Sequence, residues 1–266
     1  MPTSDGAGVA LRRVIGGPAL SELDPFLLLD EFRSDVPGDY LAGFPNHPHR
    51  GFETVTYMLA GRMRHEDNQG NRGQLGPGSI QWMTAGKGIV HAEMPEQVDG
   101  LMWGFQLWVN LPATDKMCEP RYQDIDPALV PRIEPVPGAS VGVLSGQFLE
   151  ARGPVTAVAV EPLYLDVGLQ PGAELLVPVP AGHAAFVYVF DGRMSVGSQA
   201  TEVGRGHLAV LDDGDGVTLR AAAGGARCLV VAGRPLDEPV VRYGPFVMNT
   251  EQQIHEAIHD FQQGRF

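Results

Sequence analysis

The sequence predicts an all-β chain folded as two tandem β-barrels, with one short helix at the C-terminal end. Three observations carry that prediction: β-type runs cut by turn residues, an internal echo between the two halves, and a single helical stripe near residue 254. Gly at 34 and Pro at 22 are scattered as punctuation, which many short strands joined by tight turns require.

Taken in order, residues 52–59 form a β-type run ended by Ala60-Gly61. Residues 62–67 form a second, leading into the polar turn Asn68-Gln69-Gly70-Asn71. Gly76-Pro77-Gly78 opens a turn before the run 79–84, and residues 101–109 are aromatic-rich and strand-like. Residues 114–137, proline-rich and mixed in charge, read as an irregular linker. Four further runs follow at 164–169, 184–190, 207–211 and 227–232. Tyr57-Met58-Leu59-Ala60-Gly61-Arg62-Met63 is echoed by Tyr188-Val189-Phe190-Asp191-Gly192-Arg193-Met194. Leu75-Gly76-Pro77-Gly78 is likewise echoed by Val203-Gly204-Arg205-Gly206. Duplication of one barrel accounts for both echoes, with a first domain at 1–132 and a second at 133–266. In the tail, Thr250 is a suitable N-cap and Gln253 its capping-box partner. Ile254, Ala257, Ile258 and Phe261 form the i, i+3, i+4, i+7 stripe of a helix that buries one face.

Bulk composition narrows the function classes. Apolar content of 44% with 19% charged residues indicates a packed globular protein. A net charge of −13 argues against direct nucleic-acid binding, which draws on lysine and arginine. Cys118 and Cys228 are far apart and give no disulfide framework. With no secretory pattern in residues 1–5 and no apolar run of spanning length, a cytoplasmic protein without membrane contact is expected.

The chemistry lies in Asn46-His47-Pro48-His49-Arg50-Gly51-Phe52-Glu53 and, some forty residues on, His91-Ala92-Glu93. On a strand, residues i and i+2 share a face, so each stretch offers two donors on one side. Two such strands side by side aim His47, His49, His91 and Glu93 at one point. Three neutral imidazoles and a carboxylate suit a divalent transition metal and leave positions for water or substrate.

Glu53 is the rival carboxylate, since parity from His49 through Gly51 turns it inward unless Gly51 forms a bulge. His65 reads as an outer or surface residue. His183 and His207, without a His-x-His partner, leave the second barrel to packing. His255-Glu256-Ala257-Ile258-His259 spells a zinc-protease pattern, but the apolar stripe turns both histidines to solvent. Phe44, Phe52, Trp82, Met83, Trp103 and Phe105 are candidates for either the core or the apolar wall of a pocket over the metal.

Three blocks closely resemble the pirin family: Pro48-His49-Arg50-Gly51-Phe52-Glu53-Thr54-Val55-Thr56-Tyr57, residues 81–94 (Gln-Trp-Met-Thr-Ala-Gly-Lys-Gly-Ile-Val-His-Ala-Glu-Met), and Leu107-Trp108-Val109-Asn110-Leu111-Pro112. The tail Gly244-Pro245-Phe246-Val247-Met248-Asn249-Thr250 fits as well. The resemblance implies two stacked cupin barrels, usually with iron in the first, held by His47, His49, His91 and Glu93. It favours Glu93 over Glu53 as the ligand and leaves Glu53 as a nearby residue that orients a ligand or takes a proton.

Family members divide between quercetin 2,3-dioxygenase activity and protein-binding regulation. The first implies an Fe(II)-dependent enzyme that opens a flavonol with O₂ and releases CO, with Glu93 or Glu53 accepting the hydroxyl proton. The second implies an iron-binding, redox-responsive protein read by a protein partner.

Overall fold

The computed structural model describes residues Met1–Phe266. Twenty-three strands and one α-helix, with two short 3₁₀ turns, make up two compact units: Met1–Pro127 with Leu236–Phe266, and Ala128–Pro235.

The first unit is built of two sheets. Seven strands form the larger, in the order β1 (Pro2–Asp5), β2 (Val9–Ile15), β3 (Phe26–Ser34), β10 (Met102–Asn110), β5 (Phe52–Ala60), β8 (Ile80–Thr84), β11 (Arg121–Ile125). The smaller runs β4 (Phe44–His49), β9 (Ile89–Pro95), β6 (Met63–Asp67), β7 (Arg72–Leu75). All pairings within them are antiparallel.

Pairing of β5 with β10 places Thr56 beside Gln106, and pairing of β5 with β8 places it beside Gln81. These three share the face turned to the smaller sheet, because Thr56 and Gln106 hydrogen-bond Glu93 of β9. Val55, Trp82 and Leu107 are also mutual neighbours and lie on the opposite face, where they too are buried.

The second unit is built on one eight-stranded antiparallel sheet. Its path is β12 (Arg132–Ile133), β13 (Ala139–Ser145), β16 (Leu163–Leu169), β21 (Gly216–Gly233), β18 (Ala184–Val196), β19 (Thr201–Gly204). β17 (Glu174–Pro178) joins β21, and β20 (His207–Val210) joins β18. Two small strands, β14 (Gln147–Phe148) and β15 (Ala151–Arg152), pair with each other. The interior is almost wholly aliphatic, with Val141, Val167, Val187, Val189, Leu219 and Val230 all buried.

The duplicated corner is present in both units. Gly61 separates β5 from β6 with φ 83, and Gly192, with φ 70, sits where the register of long β18 shifts. Both backbones turn in the left-handed region that glycine enters without steric cost.

One expectation changes: residues 114–137 are not wholly irregular, since β11 lies within them and pairs residue for residue with β8. The tail from Leu236 onward packs into the first compact unit. There β22 (Val241–Tyr243) and β23 (Phe246–Met248) form a hairpin, and Phe246 bridges to Arg50. The backbone amides of Leu236 and Asp237 both donate to Asp24 Oδ2. Helix α1 (Glu251–Gln262) follows, with the Thr250–Gln253 capping box formed as expected and Ile254 and Ala257 buried. No helix is long and apolar enough to cross a membrane.

Candidate metal centre

Strands β4 and β9 lie side by side with His47 directly opposite His91. His49 is two residues along β4 on the same face, and the donor atoms of His47, His49 and His91 all lie within 4.8 Å of one another. Ring centroids are 4.6 Å apart for His47–His49, 4.5 Å for His47–His91 and 5.1 Å for His49–His91.

His49 and His91 are buried and His47 is half-buried. Burial, followed by the neighbouring His47 and His91, holds His49 well below the usual imidazole value, against a bond to the Pro245 backbone. Burial likewise lowers His91 to about 4, although Glu93 opposes the shift. At neutral pH both rings are uncharged, the form that binds a cation.

The unpaired atoms point the same way. His49 Nδ1 and both ring nitrogens of His91 are buried without a hydrogen-bond partner. His47 Nδ1 is 2.8 Å from the Pro45 carbonyl oxygen, so Nδ1–H donates there and Nε2 is left with a free lone pair. Buried polar atoms normally find partners, and a divalent ion would supply one to several here at once. The donor set fits such an ion.

Glu93 is two residues from His91 on the same face of β9, but it is not part of the tight three-histidine set. Its Oε1 accepts from the Thr56 hydroxyl at 2.9 Å and its Oε2 from the Gln106 amide at 3.0 Å. Burial alone would raise its pKa. His91, the Gln106 bond, His47 and Thr56 outweigh burial and leave it lowered, so the carboxylate is ionised at neutral pH. Directly across from Glu93 on β6 stands His65, whose Nε2 is 3.1 Å from Asp124 Oδ2.

Glu53 is placed elsewhere. It pairs with Thr84 and Val109 and shares the face of Val55, Trp82 and Leu107, opposite to that of Thr56 and Gln106. The parity expected from His49 fails because the chain leaves the smaller sheet at His49 and enters the larger at Phe52. It turns at Gly51, with φ 87, and a Cβ there would fall 2.0 Å from the Val247 carbonyl oxygen. Glu53 Oε1 accepts from the Thr84 hydroxyl at 2.6 Å. Burial raises its pKa, opposed by Thr84, Trp82 and Arg121.

His255 and His259 are exposed on α1, apart from any cluster. His207 is exposed in the second unit, where His183 is only partly buried.

A cavity of about 580 Å³ opens onto the histidines, with His47 and His49 in its wall. Of the aromatic candidates only Phe44 lines it; Phe32 and Trp108 complete its aromatic surface, and Arg242, Gly244 and Pro245 come from the tail. Trp108 meets His49 edge-on at 5.3 Å. Trp82 and Phe105 are on the far face of the sheet. Trp108 stood in the third block of the resemblance, but nothing local marks it as a wall, and the tail contacts arise only from long-range packing.

Two β-units in tandem, with a histidine-rich pocket in the first, define a bicupin with a candidate metal centre. The profile described as Pirin matches residues 8–109, and that described as Pirin C-terminal cupin domain matches residues 164–266. The chain belongs to the pirin family. It is 53% identical to a Pseudomonas aeruginosa protein named "Putative quercetin 2,3-dioxygenase", over 99% of this chain and 94% of that one. It is 44% identical to human Pirin, over 98% and 89%. The crystal structure of a quercetin 2,3-dioxygenase from Acinetobacter baumannii superposes with a TM-score of 0.92 at 35% identity, covering 100% of this chain and 94% of that chain.

Proposed function

We propose that this pirin-family protein is a metal-dependent dioxygenase that opens a flavonol with O₂ and releases carbon monoxide. The observation that carries the reading is the cavity that reaches His47 and His49 with aromatic walls, a shape suited to a flat polyphenol. His47, His49 and His91 would hold the ion, with Glu93 as the carboxylate donor, and Fe(II) is the proposed occupant. When bound, such an ion supplies Lewis acidity that favours the ionised form of a phenol.

The chain's own part is positional. Phe32, Phe44 and Trp108 exclude water and pack against aromatic rings. Thr56 and Gln106 fix both oxygens of Glu93, which stays ionised and is assigned the hydroxyl proton of the substrate. Glu53, on the other face of the sheet, is assigned no role in that transfer.

The test is anaerobic loading with Fe(II), addition of quercetin and oxygen, and measurement of flavonol absorbance together with carbon monoxide. Consumption with matching gas release is the expected result. A fully loaded protein that leaves quercetin intact would refute the enzymatic reading and favour the redox-responsive regulator.

A further inference from the structure

The cavity wall contains two guanidinium groups in very different states. Arg13 is fully engaged: its Nε and Nη2 donate to the two oxygens of Asp30 at 3.0 and 2.7 Å, and Nη2 also reaches Asp5 at 2.7 Å. Arg242, on β22, has no carboxylate within ion-pair distance. Its Nη1 and Nε reach only the carbonyls of Leu27 and Gly244, each at a long 3.4 Å. Asp30 and Asp5 act on it through space, but their oxygens are directed at Arg13.

The Arg242 guanidinium lies 4.7 Å from the centroid of Trp108, the ring that meets His49 edge-on. Pro245, three residues on, bonds His49 through its backbone. The returning tail therefore places an exposed, carboxylate-free cation in the same wall as the candidate metal-binding histidines, held over the Trp108 ring. Arginine in that state is suited to an oxyanion, to which it offers a planar fork of donors.

We infer that Arg242 is a specificity-determining residue that anchors an anionic oxygen, phenolate or carboxylate, of a planar aromatic substrate at the mouth of the cavity. The inference rests on this cavity being the substrate site, as proposed above. A ligand directed at the histidines along the Phe44 and Trp108 walls would present its outer edge to Arg242.

The test is calorimetric titration of this chain loaded with zinc, which does not turn over redox chemistry. The probes are 2-naphthoate and its neutral counterpart 2-naphthamide, and the proteins are wild type, Arg242→Gln and Arg242→Lys. Arg242→Gln should bind 2-naphthoate about tenfold more weakly and leave 2-naphthamide within about twofold, because only the charge-assisted bond is lost. Arg242→Lys should retain most of the preference for the anion. Equal losses on both probes, unchanged 2-naphthoate affinity, or a wild type that does not prefer the anion would each overturn the inference. Arg242-dependent binding in a protein that leaves quercetin intact would sink the dioxygenase reading alone. Quercetin turnover with Arg242-independent binding would sink the Arg242 inference alone.

Discussion

Lys116 holds together the corner from which His49 projects, and replacing it with methionine measures how much. The side chain is 1% exposed, and its Nζ donates to Gly51 O at 2.8 Å, Asn110 Oδ1 at 2.7 Å and Val247 O at 3.1 Å. Those acceptors belong to the turn after β4, the end of β10 and the tail strand β23. Three buried acceptors left without a donor cost roughly 1–3 kcal/mol each, or about 6 kcal/mol at mid-range. Methionine fills similar volume and removes the burial penalty that pushes the amine, against Glu238, from 10.5 down to about 8. That difference of about 2.5 corresponds to about 3 kcal/mol. The net expectation for Lys116→Met is a loss of about 3 kcal/mol at neutral pH.

The pH dependence has a definite sign. The folded chain releases this proton near pH 8, whereas the lysine reference value is 10.5. Between those values unfolding takes up a proton, so raising the pH stabilises wild type relative to Lys116→Met, which has no such group. The gap should be about 2 kcal/mol wider at pH 9.5 than at pH 7. Urea unfolding of the metal-free protein followed by tryptophan fluorescence is the assay, because all three tryptophans, Trp82, Trp103 and Trp108, lie in the first unit. An unchanged midpoint, or a gap that narrows above pH 8, would refute the assignment of Lys116 as a buried charged tie.

Two other substitutions test the site. His91→Ala should abolish stoichiometric metal by elemental analysis and keep the far-UV spectrum, since apolar burial holds the barrel, whereas His255→Ala and His259→Ala should keep their metal. Glu53→Gln should retain full metal content, and retention is the decisive readout, because loss of the ion would return Glu53 to the site. The same variant should gain on wild type as pH rises above the usual carboxylate range. There the folded chain keeps a Glu53 proton that the unfolded chain has released, so ionisation progressively weakens wild type alone.

What was legible in the sequence was what depends on local geometry. The pairs His47/His49 and His91/Glu93 share faces because the two-residue period holds within a strand, and the register of β4 on β9 brings the pairs together. The helix cap was legible for the same reason, being a four-residue pattern. Parity alone does not decide Glu53, because parity is a property of one strand in one sheet, and at Gly51 the chain changes sheets. Strand β11 was hidden among prolines because its pairing with β8 carries it. Arg242 and Pro245 join the site across nearly two hundred residues of intervening chain, so no periodicity reports them.

The echo between the halves explains why the first unit alone carries the donor set. Aligning Tyr57 with Tyr188 sets Thr56 against Val187. Thr56 pairs with Gln106 across β5 and β10, and Val187 pairs with Val230 across β18 and β21. The two pairs occupy equivalent places on the inner face, yet one offers a hydroxyl and an amide and the other only methyl groups. A buried carboxylate needs such donors, since its burial penalty is otherwise unopposed. In the first unit Thr56 and Gln106 meet that need for Glu93, whereas Val187 and Val230 belong to an aliphatic core that would penalise one. The division of labour is therefore set one layer beneath the histidines, by whether the sheet behind them can hold a negative charge.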